Sequence, residues 1–321
     1  MRYAYLGPEG TFTEAALRSA LGTRVPGPGP GSGPGPVPVP VPVCEPYPTV
    51  ADALEAVRRG HCAAAMVPVE NSLKGVVPAT LDGFAATDDL HIVGETELRV
   101  SFALLGLPGA TLDGVERVRS HPHALAQCGR WLGLRLPNAV TEAAGSTAGA
   151  ARDLAGSGDP RVAAVAAPAV AERYGLRVLA TDIGERENAV TRFVMVRRAG
   201  VPPARTGRDR TSLLVSAGDG TPAALPGILS VFTAGRVSLA WVQAWPTGLR
   251  LGDYRFFVDV EGHIDDQRVR HAVASLSDVG ARASFLGSYP RAGARATAVT
   301  AATALRRRVP LPSPPFPAVV L

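Results

Sequence analysis

The residues Glu187-Asn188-Ala189-Val190-Thr191-Arg192-Phe193 set a hydroxyl, a guanidinium and an aromatic ring side by side, at the start of the apolar run Val194-Met195-Val196. A strand edge that offers an always-charged fork beside a hydroxyl is suited to hold a carboxylate next to a reacting oxygen. Upstream turns offer matching chemistry: Gly7-Pro8-Glu9-Gly10-Thr11-Phe12-Thr13, Pro68-Val69-Glu70-Asn71-Ser72, Ser120-His121-Pro122-His123-Ala124-Leu125 and Ala144-Gly145-Ser146-Thr147-Ala148. Each supplies small residues, hydroxyls or helix-start amides that suit an anion. Each also has a structural reading. Thr13 and Ser146 serve as helix N-caps, Glu70 as a surface acid after a buried strand, His121 as a loop histidine and Lys74 as a solvent-facing charge.

The elements that must position these turns follow from periodicity. Strands are predicted at 2–6, 62–67, 91–93, 101–105, 115–119, 162–166 and 191–196. Helices are predicted at 13–21, 49–59, 122–132, 146–154 and 167–174. The alternation argues for an α/β fold with mostly parallel sheets, two small ones facing across a cleft, and ligands at the carboxyl ends of strands. The Gly-Pro and Pro-Val repeats of 26–43 lack the amide donors of a helix or inner strand and read as an extended surface insertion. Residues 197–210 read as a linker. Beyond them, strands at 212–216, 237–244, 254–261 and 281–287 and helices at 221–234 and 265–276 give a βαββαβ, ferredoxin-like plan. The expected organisation is a catalytic domain at 2–197, a linker at 198–210, a second domain at 211–290 and a disordered tail at 291–321.

Composition narrows the class. The 321 residues suffice for two domains, and 46% apolar content supports a sizeable core. Lys74 is the single lysine, and the excess of basic residues is arginine spread along the chain. No basic stripe interleaves with aromatics, so a nucleic-acid partner is not expected. No apolar run is long enough to span a bilayer and the N-terminus lacks signal-peptide organisation, so a membrane partner is not expected and a cytoplasmic location is. Cys44, Cys62 and Cys128 are odd in number and distant from histidines at ligand spacing, which argues against a disulfide framework or a zinc site.

In their order, these motifs resemble a monofunctional prephenate dehydratase. The matching pieces are Tyr5-Leu6-Gly7-Pro8-Glu9-Gly10-Thr11-Phe12, Pro68-Val69-Glu70-Asn71-Ser72, Ser120 to Cys128, Ser146-Thr147-Ala148 and Asn188 to Phe193. The C-terminal module resembles the ACT regulatory domain. The resemblance implies a two-lobed catalytic domain similar in plan to periplasmic binding proteins, no cofactor, and conversion of prephenate to phenylpyruvate. It implies a homodimer or homotetramer, and it assigns to Thr191 the residue tied most closely to activity. On this reading Thr191 donates to the leaving hydroxyl and Arg192 forks onto a substrate carboxylate. Glu70 or His121 is the general acid. Gly10, Thr11, Asn71, Ser72, Ser146, Thr147 and Ala148 orient the dianion, and Phe193 is packed beneath the strand or lines the substrate.

The sequence departs from the family at several points. Glu185 stands where an Asp is usual. In the C-terminal module Gln243-Ala244-Trp245-Pro246 replaces Glu-Ser-Arg-Pro, and Pro222-Ala223-Ala224-Leu225 replaces Pro-Gly-Ala-Leu. An effector site built on Ala224, Leu225, Gln243 and Pro246 is therefore expected to bind L-phenylalanine weakly, to bind another ligand, or to give way to a module that serves only in oligomer assembly. The alternatives are an arogenate-preferring or secondary-metabolism dehydratase, and a non-catalytic ligand sensor.

Overall fold

The computed structural model describes residues 1–22, 41–186, 189–218 and 220–293. Glu187 and Asn188 of the opening motif, most of the Pro/Gly insertion and all but the first residues of the tail lie outside them.

The first lobe contains β1 (Arg2–Leu6), α1 (Phe12–Ala20), β2 (Val43–Tyr47), α2 (Val50–Arg58), β3 (Ala64–Asn71), β4 (Gly75–Val76), α3 (Pro78–Ala85) and β5 (Leu90–Arg99). The chain then crosses to a second lobe of β6 (Ala103–Gly106), β7 (Arg117–Ser120), α4 (Pro122–Gln127), α5 (Gly129–Arg135), β8 (Val140–Ala143), α6 (Thr147–Ala155), β9 (Val162–Ala166), α7 (Val170–Tyr174) and β10 (Arg177–Ala180). It returns as β11 (Val190–Arg198), which enters the first sheet between β3 and β5 and runs antiparallel to both. The sheets are ordered β2-β1-β3-β11-β5, with β4 on β3, and β10-β6-β9-β7-β8. Both mix parallel and antiparallel pairs, which corrects the expectation of mostly parallel sheets: the two crossings between lobes bring β11 and β6 back in the reverse sense.

The C-terminal module consists of β12 (Asp209–Ala217), α8 (Leu225–Ala234), β13 (Leu239–Pro246), β14 (Tyr254–Glu261), α9 (Gln267–Ala274) and β15 (Ala281–Pro290), with strand order β13-β14-β12-β15. One sheet face packs on its own helices through Val215, Phe256, Val258 and Val260. The other shares a core with the first lobe, where Leu214, Phe257, Leu286 and Tyr289 join Val194, Val196 and Ile92. Burying each large apolar side chain is worth roughly 1.5–3 kcal/mol, so the module is seated on the sheet of the first lobe. The approach is close: a Cβ on Gly287, at φ +146°, would fall 2.2 Å from the Ile92 carbonyl oxygen.

Local capping explains the helix starts. Thr49 and Ser146 cap α2 and α6, accepting from the amides of Asp52 and Gly149 at 3.1 and 2.9 Å. The cap of α1 is Thr11 and not Thr13, which is buried inside the first turn. The helix expected over 122–132 is two, broken at Cys128, whose thiol is fully buried and pushed up to about 12, first by desolvation.

Candidate active site

Thr191 is the second residue of β11, where the chain returns from the second lobe, and the ladder sets it opposite Asn71 at the end of β3. The Asn71 side-chain amide donates from Nδ2 to Thr191 Oγ1 at 2.8 Å. Its Oδ1 accepts from the amides of Leu73 and Lys74 at 2.9 and 3.1 Å. Those two donors fix which end of the amide faces the threonine. The Thr191 oxygen is therefore an acceptor toward Asn71, and its own proton is directed elsewhere. Thr191 is 8% exposed, so this donor operates with little competition from water. Ser72 completes the junction. Its amide donates to the Val190 carbonyl at 2.9 Å and its Oγ accepts from the Val190 amide at 3.0 Å.

The turn at Gly10 meets the second lobe at α6. Gly10 has φ +84°, and a Cβ there would stand 3.3 Å from Val170 and 3.5 Å from the methyl of Ala148. Glycine permits both the left-handed backbone and the close approach. At the start of α6, the Ser146 side chain and carbonyl take the Gly149 and Ala150 amides. The preceding amides, those of Thr147 and Ala148, lie at the positive end of the helix without an intrahelical acceptor.

Sequence reasoning missed Glu14. Its buried carboxylate accepts from the Gly10 amide at 2.6 Å, from Arg18, and from Arg173, which reaches across from α7 and also pairs with Glu9. Burial alone would push the Glu14 carboxyl up. The Gly10 amide and the two guanidiniums outweigh burial and hold it below the usual carboxylate range. The spacing Thr11-x-x-Glu14 is the capping-box signal that could have found it. The same contacts correct the expectation for Gly10. Its amide is held by Glu14, whereas at Thr11 it is the hydroxyl that is committed, donating to the Leu6 carbonyl and accepting from the Glu14 amide.

The expected roles of Arg192, Glu70 and His121 are also corrected. Successive strand residues face opposite sides of a sheet, and Arg192 projects away from Thr191, toward the C-terminal module. It is 7% exposed, and its guanidinium bonds Asp259 at 2.6 Å, lies 3.8 Å from Glu95 and stacks on Trp241. It is thus committed within the protein and does not offer its fork to a substrate. The register pairs Glu70 with Arg192 and not with Thr191, which removes Glu70 from beside the hydroxyl. Phe193 is 2% exposed and packs among Tyr5, Ala16, Leu17 and Met66 beneath the strand. His121 caps α4, accepting from the His123 amide through Nδ1. Desolvation, then the neighbouring His123, lowers its pKa, which disfavours the charged ring and, with Nδ1 already accepting, makes it a poor general acid. Glu185 accepts from the Arg130 amide at the start of α5 at 2.9 Å.

In the C-terminal module, Trp245 donates from Nε1 to Asp82 of α3 at 3.0 Å and meets Phe257 edge-on, while Gln243 donates to the Ala244 carbonyl at 2.8 Å. Ala224 and Leu225 pack against the module's own core and Pro246 ends β13 exposed. Among the described residues no three His, Cys, Asp or Glu side chains cluster as a metal site requires, and no helix is long and apolar enough to cross a membrane.

Known proteins match this arrangement along most of its length. Residues 3–200 match the family model described as prephenate dehydratase. The prephenate dehydratase of Amycolatopsis methanolica is 42% identical over 307 residues, 94% of this chain and 92% of its own. That of Mycolicibacterium gilvum is 43% identical over 288 residues, 89% and 90% of the two chains. The crystal structure of prephenate dehydratase from Arthrobacter aurescens in complex with L-Phe is 40% identical, with a TM-score of 0.78 over 92% of this chain and 91% of that one.

Proposed function

The chain belongs to the prephenate dehydratase family, and we propose that it is a carbon–oxygen lyase converting prephenate to phenylpyruvate, water and carbon dioxide on the route to phenylalanine. The observation that carries the reading is the Asn71–Thr191 pair, a buried hydroxyl whose acceptor side is occupied and whose proton is presented.

Prephenate carries two carboxylates and a hydroxyl on a six-membered ring that becomes aromatic when the hydroxyl and the ring carboxylate leave together. The product is far more stable, and the barrier lies in expelling a poor leaving group. A donor aimed at the departing oxygen stabilises the charge that develops there, and its effect is largest where water is excluded. Thr191 is that donor. Its hydroxyl is too weak an acid to surrender a proton outright near neutral pH, so it stabilises or relays. The free amides of Thr147 and Ala148 suit a carboxylate of the dianion, a role for which Arg192 is unavailable. The lobes are read as periplasmic-binding-protein-like and the module at 211–290 as an ACT domain. Such modules commonly pair, so a cytoplasmic homodimer or homotetramer is the expected assembly.

The test is phenylpyruvate formation by the full-length protein. Wild type is expected to turn prephenate over in preference to arogenate, and Thr191→Ala is expected to lose roughly a hundredfold or more in kcat with KM little changed. Binding of prephenate without turnover would make the protein a sensor, and normal turnover in Thr191→Ala would remove Thr191 from the chemistry.

A further inference from the structure

Arg192 is next to Thr191 in the chain, yet its side chain belongs to a buried charge cluster between the catalytic sheet and the C-terminal sheet. Arg192 of β11 bonds Asp259 of β14 at 2.6 Å, and Arg210 of β12 bonds Glu95 of β5 at 2.8 Å. The crossed distances, Arg192 to Glu95 and Arg210 to Asp259, are both 3.8 Å. Asp259 also accepts from Ser212, which pairs with Tyr289, and Glu95 accepts from the Ala292 amide. Trp241 of β13 covers the Arg192 guanidinium, whose carbon lies 5.4 Å from the ring centre.

Stability alone is a weak account of this cluster. Burying ions costs several kcal/mol each, and apolar replacements of similar volume are often as stable or more so. The Nε atoms of Arg192 and Arg210 are buried without a partner, a further cost an apolar contact would avoid. What the cluster supplies is registry. An apolar core lets β11 and β14 slide, whereas Asp259 sets the Arg192 guanidinium at one place. The Cα atoms of Arg192 and Thr191 are about 3.8 Å apart across one planar peptide, and beside this point the β3–β11 register shifts, between Arg192 and Phe193. On its other side β11 pairs with β5 in unbroken register from Val190 to Met195, so the ion pair with Asp259 is a further restraint on the aim of Thr191, the second residue of the strand.

We propose that Arg192 is a positioning residue through which Asp259 and Trp241 of the C-terminal module set the aim of the Thr191 hydroxyl, so that seating of the module governs turnover. The proposal rests on the reading of Thr191 as the catalytic donor. It makes the module part of the catalytic apparatus without bringing any of its residues to the substrate.

Full-length Asp259→Asn keeps the shape and the acceptor for Ser212 but removes the charge that holds Arg192. It is expected to lower kcat about tenfold with KM within about twofold, and to raise hydrogen exchange across residues 190–193. Trp241→Leu, a milder perturbation that spares the ion pairs, is expected to move both in the same direction. Val258→Ala lies on the opposite face of the same strand, in the module's own core; it is expected to lower stability while leaving kcat and exchange at 190–193 as in wild type. Unchanged kcat and unchanged exchange in Asp259→Asn and Trp241→Leu would overturn the proposal, as would an equal kcat loss in Val258→Ala. A rise in KM at constant kcat would overturn it by returning Arg192 to substrate binding. Because exchange does not depend on turnover, raised exchange in a protein that forms no phenylpyruvate supports the coupling and rejects only the assigned chemistry.

Discussion

At the scale of single residues, the site depends on which way one hydroxyl proton points. Asn71 is held by two backbone amides through its oxygen, so its NH2 faces Thr191 and the threonine proton is directed elsewhere. Asn71→Asp tests this while keeping the side chain's shape, with an oxygen in place of the NH2. An aspartate still accepts from Leu73 and Lys74, but its second oxygen now faces Thr191 as an acceptor and captures the proton. The expected outcome is a loss of about tenfold or more in kcat with the thermal transition close to wild type; unchanged kcat would mean that the orientation of Thr191 does not matter. The Thr191-Arg192 pair also shows how far a sequence can be read. Adjacency suggested one shared site, and the hydroxyl was legible because the motif around it is dense in polar groups. The period-two alternation that separates the two side chains was equally visible. The partner that claims Arg192 was not, since Asp259 lies 67 residues along and in another sheet.

At the scale of elements, the two lobes are clasped where α7 meets α1. Arg173 bonds both Glu9 and Glu14, and Glu14 in turn holds the Gly10 amide and Arg18. Since the folded-state pKa of Glu14 lies below its unfolded value, its contribution is fully present above the ordinary carboxylate range and is lost as pH falls through the folded value. Glu14→Gln keeps an acceptor for Gly10 but loses the ion pairs. It is expected to melt about 5 °C below wild type at neutral pH, with the gap closing as pH falls below about 4.5. A gap constant across that range would show that the ionised carboxylate contributes nothing. The elements that sequence periodicity did not reveal share a physical reason. β2 carries Pro46 and follows a proline-rich run, yet it is an edge strand beside β1, where a missing amide is tolerated. α3 begins with a proline and contains Gly83, weak helix signals by propensity. A Cβ at Gly83 would stand 2.4 Å from Leu54, so the glycine permits contact with α2 and tertiary packing overrides the local preference. β8 and β10 are four-residue edge strands, too short for a pattern.

At the scale of the whole molecule, the C-terminal module is joined to the sheet of the first lobe by a shared core, a buried charge cluster and a hydrogen bond from Trp245 to Asp82. The related Arthrobacter aurescens enzyme was solved in complex with L-Phe. In this chain Trp245 stands where the resemblance of the module implies a guanidinium, and its indole is turned to Asp82 of α3 and the edge of Phe257. Arg255, its ladder partner, donates to the Ala85 carbonyl at the end of the same helix. Both side chains are thereby drawn to the face that seats the module, and Ala223 adds a methyl where glycine would let a ligand approach the backbone. An amino-acid carboxylate needs a charged fork or free amides, and the segment around Gln243 offers a side chain already bonded to the Ala244 carbonyl. L-Phenylalanine is therefore expected to leave phenylpyruvate formation unaffected until ~1 mM or above, where any binding is weak, and calorimetry is expected to show no heat at micromolar concentrations. Half-inhibition in the micromolar range would show that the exchange of Glu-Ser-Arg-Pro for Gln243-Ala244-Trp245-Pro246 did not abolish the effector site. It would also direct attention to the Trp245–Asp82 bond as the contact that effector binding must release, which Asp82→Ala would then test by shifting the inhibition midpoint.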